Sequence, residues 1–359
     1  MALDGNAGYF HHLMKLTKRL KSVEEGEARR IEFCSMLEEC AHSETAESRD
    51  TAMMDLMKCA NFFPNVEDKI YFFEFCLEQR SLKYIKLIEA RNFNIHQFRF
   101  IDGRSAVHYM VDLLDREYNG LSVYKSKTLK ILEYFLENPR ENYSDDHGYS
   151  YLHAACMSNS VTRVNLLLSQ GVDVNLDSFK YSALHIAAQY RHLDVVQILL
   201  EHKANPNQPD HELSTPLHSL ARLCVCHCTN IIRCCDKRKP VDKIIQLLME
   251  YGANIEARNR DGDHPLDLAV SRFDVQLVES LLKHGASLDS LNEDKMFGAE
   301  FTSTALKNYP LPLNIIEMVQ LLQSAGFEMS LETRLRMLKC WIKVRGNDTD
   351  HLIPEMTGK

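Results

Sequence analysis

Chain-breaking residues are scarce in this sequence. It has 14 glycines and 10 prolines among 359 residues, about half the combined ~12% of average usage. That shortage argues against a turn-rich β architecture and for helix. Long apolar runs are missing too, and no stretch approaches the ~20 residues of a membrane span. The opening Met1-Ala2-Leu3-Asp4-Gly5-Asn6 carries an acid where a secretory signal would be basic, with no apolar core after it. Positive charge is in deficit: 42 Lys and Arg stand against 50 Asp and Glu, for a formal net charge of −8. This removes the simplest argument for nucleic-acid binding. A Gly-rich phosphate loop, a His-Glu-x-x-His pair and a Gly-x-Ser-x-Gly elbow are all absent, so the chain reads as non-enzymatic.

With 45% hydrophobic and 26% charged residues, the chain has the usage of a soluble protein able to bury a core. Its 11 cysteines are odd in number and scattered. They read as reduced thiols in a cytoplasmic or nuclear compartment.

What is abundant is repetition. Ser105-Ala106-Val107-His108, Ser150-Tyr151-Leu152-His153, Ser182-Ala183-Leu184-His185 and Thr215-Pro216-Leu217-His218 share one pattern, and His264-Pro265-Leu266-Asp267 ends in Asp instead. From His153 to His185 is 32 residues, and from His185 to His218 is 33. Each string opens a short apolar helix. A second, leucine-rich helix follows, as in Val195-Val196-Gln197-Ile198-Leu199-Leu200, and then a turn such as Gly252-Ala253-Asn254. Ser or Thr before Pro or Ala caps the first helix, small alanines allow close packing, and glycine ends the second helix in a left-handed conformation. Asp/Asn–Gly tips build the hairpins between units.

The period and the Thr-Pro-Leu-His-x-Ala signature resemble the ankyrin repeat, strongly over residues 146–291. The resemblance implies an all-α solenoid of about seven helix-turn-helix units spanning 67–330. A helical N-terminal cap over 1–66 and a C-terminal capping helix and tail over 331–359 complete the expected layout. Two intervals are stretched, 45 residues from His108 to His153 and 49 from His218 to Asp267. They place insertions near 116–127 and 223–240. In the last segment Leu331, Leu335, Leu338 and Ile342 form one stripe with basic residues around it. The stripe either packs as a cap or docks another protein.

The second insertion gathers Cys224, Cys226, His227, Cys228, Cys234 and Cys235. Such ligands at short spacing can build a zinc site, although the spacing is not that of a known finger; otherwise the thiols pack as small hydrophobes or line a loop. No other cofactor is indicated.

The family's binding positions lie beside the capping residue and after the small helix residues. Carried over, they are Asp146, His147, Tyr149, Met157 and Ser158; then Phe179, Tyr181, Gln189 and Tyr190; then His211, Glu212, Ser214 and Arg222; then Arg260, Asp261, Asp263, Ser271 and Arg272. Aromatics cluster in adjacent units and arginines follow, which are common hot-spot residues of protein interfaces. The resemblance implies a protein partner on the concave face, and the aromatic and arginine pattern suits an acidic or extended one. The alternatives are an adaptor in ubiquitin transfer and a zinc- or redox-regulated scaffold.

Overall fold

The computed structural model describes most of residues 73–118, then 125–136, 143–221, 241–289, 291–297 and 311–349, with Ala28, Glu32, Ser35 and Met36 before them. Nearly all of the expected N-terminal cap, the whole Cys-rich insertion and Arg222 lie outside the described residues. The chain divides into two compact units, Met1–Ile101 and Asp102–Lys359.

In the first unit, α1 (Leu82–Glu89) follows a left-handed Arg80. Phe73, Cys76, Leu77 and Ile85 are buried. The ring of Phe98 meets Phe100 at 5.0 Å and Phe73 at 5.5 Å, both edge-on, the arrangement that the aromatic quadrupole favours.

The second unit is a stack of helix pairs. It runs through α2 (Ala106–Tyr118), α3 (Lys125–Phe135), α4 (Tyr151–Met157), α5 (Val161–Ser169), α6 (Ala183–Gln189) and α7 (Leu193–Glu201). It continues with α8 (Pro216–Ser219), α9 (Val241–Glu250), α10 (Pro265–Ser271), α11 (Val275–Lys283), α12 (Leu311–Ser324) and α13 (Leu331–Thr349). The first helices α2, α4, α6, α8 and α10 contact one another in order, and α5, α7, α9, α11 and α12 form a second layer. Among the described residues there is no strand, only one antiparallel bridge between Ser144 and Ser150. The architecture is an all-α two-layer solenoid. The insertion expected over 116–127 is built partly by helix extension, because α2 reaches Tyr118 and α3 starts at Lys125.

The repeated Ser/Thr-x-x-His string works as a reciprocal cap. The Ser150 N–H donates to His153 Nδ1 at 3.0 Å, and the Ser150 hydroxyl lies 2.8 Å from the same nitrogen. Ser182 with His185 and Thr215 with His218 repeat this geometry. Each pair satisfies donors that a helix start leaves orphaned. The far nitrogen then ties one unit to the next: His185 Nε2 lies 2.9 Å from the Ser214 carbonyl and His218 Nε2 3.0 Å from that of Asp263.

Second helices bury the apolar layer. In α7, Val195, Val196, Leu199 and Leu200 are inaccessible, each contributing about 1.5–3 kcal/mol of transfer free energy. The turns after these helices are stitched by asparagine. Asn175 donates to the Lys203 carbonyl at 3.0 Å and accepts from Asn205 N–H at 2.7 Å. Asn207 does the same with Gly252 and Asn254.

At the end of the solenoid the packing differs from the expected cap. Leu331, Leu335, Leu338 and Ile342 face out, whereas Thr333 and Cys340 are buried and Met337 and Trp341 half-buried. Helix α13 carries two apolar stripes, and the less regular one packs.

Candidate functional site

The hairpin tips ahead of α4, α8 and α10 share one construction, and the tip ahead of α6 departs from it. Asp145 accepts the Tyr149 N–H through its carboxylate at 2.8 Å, and its own N–H reaches the Tyr149 carbonyl at 3.0 Å. Asp210 with Ser214 and Asn259 with Asp263 repeat the pair. The turn requires a left-handed residue two places before the helix cap, supplied by Gly148 (φ 79), Leu213 (φ 58) and Gly262 (φ 79).

In the hairpin 177–181 that position is Lys180, which is not among the residues with positive φ. Asp177 at the aspartate position makes none of these bonds. Without a left-handed residue at this position the hairpin stays open. One consequence lies beneath it. His153 Nε2 is buried with no hydrogen-bond partner, unlike its counterparts in His108, His185 and His218. Burial pushes the His153 imidazole down to about 4, while the Tyr181 main chain acts in the raising direction without completing a bond.

The open hairpin carries the aromatic cluster. Phe179 meets Tyr149 edge-on at 5.0 Å, Tyr181 at 5.7 Å and His153 at 5.4 Å. Lys180 Nζ sits 4.9 Å from the centre of the Tyr181 ring, a cation–π contact. Tyr149, Phe179 and Tyr181 are each half-buried, with ring edges locked together and part of each ring left to solvent. The approach is close because the hairpins touch through backbone: a Cβ on Gly148 would stand 1.6 Å from the Ser178 carbonyl oxygen.

The other sequence-derived positions scatter in role. Met157 is buried, its sulfur 3.7 Å from the Tyr149 hydroxyl, so it supports the cluster from below and presents no surface. Tyr190 stacks on His192 at 6.0 Å, and both it and Gln189 are half-buried. Arg260 gives its N–H to the Glu212 carbonyl at 2.7 Å and its guanidinium to the His211 carbonyl. Arg272 gives its guanidinium to the Ala221 carbonyl. These arginines fasten one unit to the preceding one. Asp261 remains exposed. The sequence reading missed Lys180 and His153 as members of the site; the available signal was a lysine where the neighbouring units carry Gly or Leu. The proposed zinc ligands lie outside the described residues. Among those described, no group of three His, Cys, Asp or Glu could hold a metal ion, and no helix is long and apolar enough to cross a membrane.

Ankyrin-repeat models match residues 121–210, as three copies, and residues 261–293. The chain carries ankyrin repeats. Its repeats resemble those of an ankyrin repeat protein of Rickettsia bellii (strain RML369-C), 27% identical over 189 residues, which cover 50% of this chain and 46% of that protein. Palmitoyltransferase AKR1 of Lachancea kluyveri is 25% identical over 182 residues, covering 44% and 24%. Human ankyrin repeat and SOCS box protein 3 is 35% identical over 94 residues, covering 25% and 18%. The chain thus spans about half the length of the first relative and a quarter or less of the others. The ankyrin repeats make this protein a protein–protein interaction module.

Proposed function

We propose that this ankyrin-repeat protein binds its partner non-enzymatically on the concave face, anchored at the Tyr149–Phe179–Tyr181 cluster. The observation that carries the reading is the open hairpin 177–181, which leaves three interlocked rings partly solvated above a buried, unpartnered imidazole. Rings already fixed by edge-to-face contacts lose little entropy on binding, and aromatic anchors concentrate interface energy. The Lys180 ammonium beside Tyr181 adds a positive rim, which suits an extended partner segment carrying a carboxylate. The cytoplasm or nucleus is the proposed compartment.

Affinity purification with mass spectrometry tests this, comparing wild type with a Phe179→Ala, Tyr181→Ala, Tyr190→Ala triple variant shown to be folded by circular dichroism. A partner held by wild type and lost by the variant supports the anchor. Cullin-ligase subunits persisting in both would favour the ubiquitin-adaptor reading, and identical partner lists without them would leave the rings a purely structural role.

A further inference from the structure

Helix α13 presents an apolar stripe that is exposed among the described residues. Leu331, Leu335, Leu338 and Ile342 are 75%, 51%, 48% and 63% exposed. Their spacing of four, three and four residues keeps them within a narrow arc of the helix. Scattered exposed leucines need no explanation, but four in register on one helix form a patch.

The helix is held in place by its other side. Glu293 Oε2 accepts the Ser330 hydroxyl at 2.6 Å, the Ser330 N–H at 3.2 Å and the Thr333 hydroxyl. These bonds hold the Glu293 carboxyl below the usual carboxylate range. Arg336 reaches Asp294 at 3.2 Å. The polar clamp and the buried Thr333 and Cys340 face the solenoid, so the leucine stripe is aimed away from it on a fixed support.

Charge then selects the occupant. At 100° per residue, Arg334 falls on one border of the stripe and Lys339 on the other, beside an exposed Glu332 whose carboxylate faces Arg336 at 3.9 Å. Arg334 and Lys339 are exposed and neither side chain is paired, whereas Arg336 is spent on Asp294. A second copy docking through this face would bring the same basic borders together, since a two-fold interface pairs a patch with itself. Like charges at an interface oppose association. We infer that the α13 stripe is a second docking surface, for an amphipathic helix of another protein whose apolar stripe is bordered by Asp or Glu. It is independent of the concave-face reading.

The test uses the full chain and two fluorescent helical peptides with leucines at the same spacing, one bordered by glutamates and one by lysines. Fluorescence anisotropy should show the glutamate peptide binding at least tenfold more tightly. Leu335→Glu with Leu338→Glu should weaken it by at least tenfold, given that each buried leucine is worth roughly that factor. Arg334→Glu with Lys339→Glu should reverse the preference. All of these residues are exposed, so the variants should retain the wild-type circular dichroism melt. Equal binding of both peptides, absence of binding, or indifference to the leucine substitutions would overturn the inference. A concentration-dependent dimer of wild type, lost in the leucine variant by light scattering, would assign the face to a second copy and overturn it as well. Failure of the concave-face triple variant would leave these outcomes unaffected.

Discussion

Arg191 and Asp274 meet across 83 residues: the guanidinium Nη2 lies 2.5 Å from the carboxylate Oδ2, and both side chains are largely buried. Arg191 leaves α6 in a left-handed conformation (φ 53) and also reaches the Leu220 carbonyl at 3.3 Å. Asp274 in turn caps α11 through the Leu277 N–H at 3.2 Å. Between the two lies the unit whose first helix, α8, has only four residues. The pair therefore joins the units on either side of the shortest helix in the described stack.

Arg191→Met should lower stability by about 2–3 kcal/mol, because it leaves a largely buried carboxylate without its cation. The urea midpoint should fall accordingly. In a double-mutant cycle with Asp274→Asn, the second substitution should cost little once the first is made. Additive losses would mean that the two groups are not coupled.

Lys180→Gly should close the open hairpin. Glycine takes the left-handed turn that Gly148 and Gly262 take in their own units, and the Tyr181 carbonyl would then be positioned to accept from His153 Nε2. One recovered buried hydrogen bond should stabilise the protein by about 1 kcal/mol. The same substitution should weaken partner binding, since Phe179 moves and the ammonium is lost. A variant less stable than wild type would show that the lysine conformation is preferred for its own contacts.

Much of this architecture is legible in the sequence because each recurring residue has a single local job. The Ser/Thr–His spacing of three specifies a reciprocal cap whatever surrounds it, and the helix pairs follow from the leucine period. The site is less legible because it depends on exceptions. Nothing local marks Lys180 as significant until the left-handed requirement of the other hairpins is known. Met157 follows the binding-position pattern yet is buried, because Tyr149 folds over it. The arginines at 260 and 272 match hot-spot chemistry equally well as inter-repeat fasteners, and only geometry separates the two uses. On α13, periodicity finds the leucine stripe but not the direction it faces, since packing is taken by the less regular stripe of Thr333, Met337, Cys340 and Trp341.

His153 should make stability depend on pH. Its folded value of about 4 lies below the ordinary imidazole range, so the unfolded chain binds the proton more readily. Stability is therefore complete above about pH 6.5 and is lost as the pH falls from there toward 4, by roughly 3 kcal/mol for this group. Urea midpoints between pH 7.5 and 4.5 should fall less steeply for His153→Gln than for wild type. Parallel slopes would show that the buried imidazole titrates normally.

The cap of α10 inverts the chemistry of its neighbours and should resist being restored to their pattern. Here His264 is the capping residue and Asp267 stands where the other units carry histidine. Asp267 Oδ2 accepts the His264 N–H at 2.7 Å and lies 3.0 Å from the His264 ring nitrogen, while Oδ1 accepts the Asn292 N–H at 2.7 Å. One carboxylate thus serves donors on both sides of the unit. A histidine at 267 has a single acceptor nitrogen and could cap His264 or meet Asn292, but not both. Asp267→Asn, which keeps one carbonyl oxygen, should cost about 1 kcal/mol, and Asp267→Ala about 3 kcal/mol through its buried orphaned donors. Asp267→His should fall between them despite matching the repeat signature. Thermal melts of the three variants give the order directly, and a histidine variant as stable as wild type would show that the Asn292 contact contributes nothing.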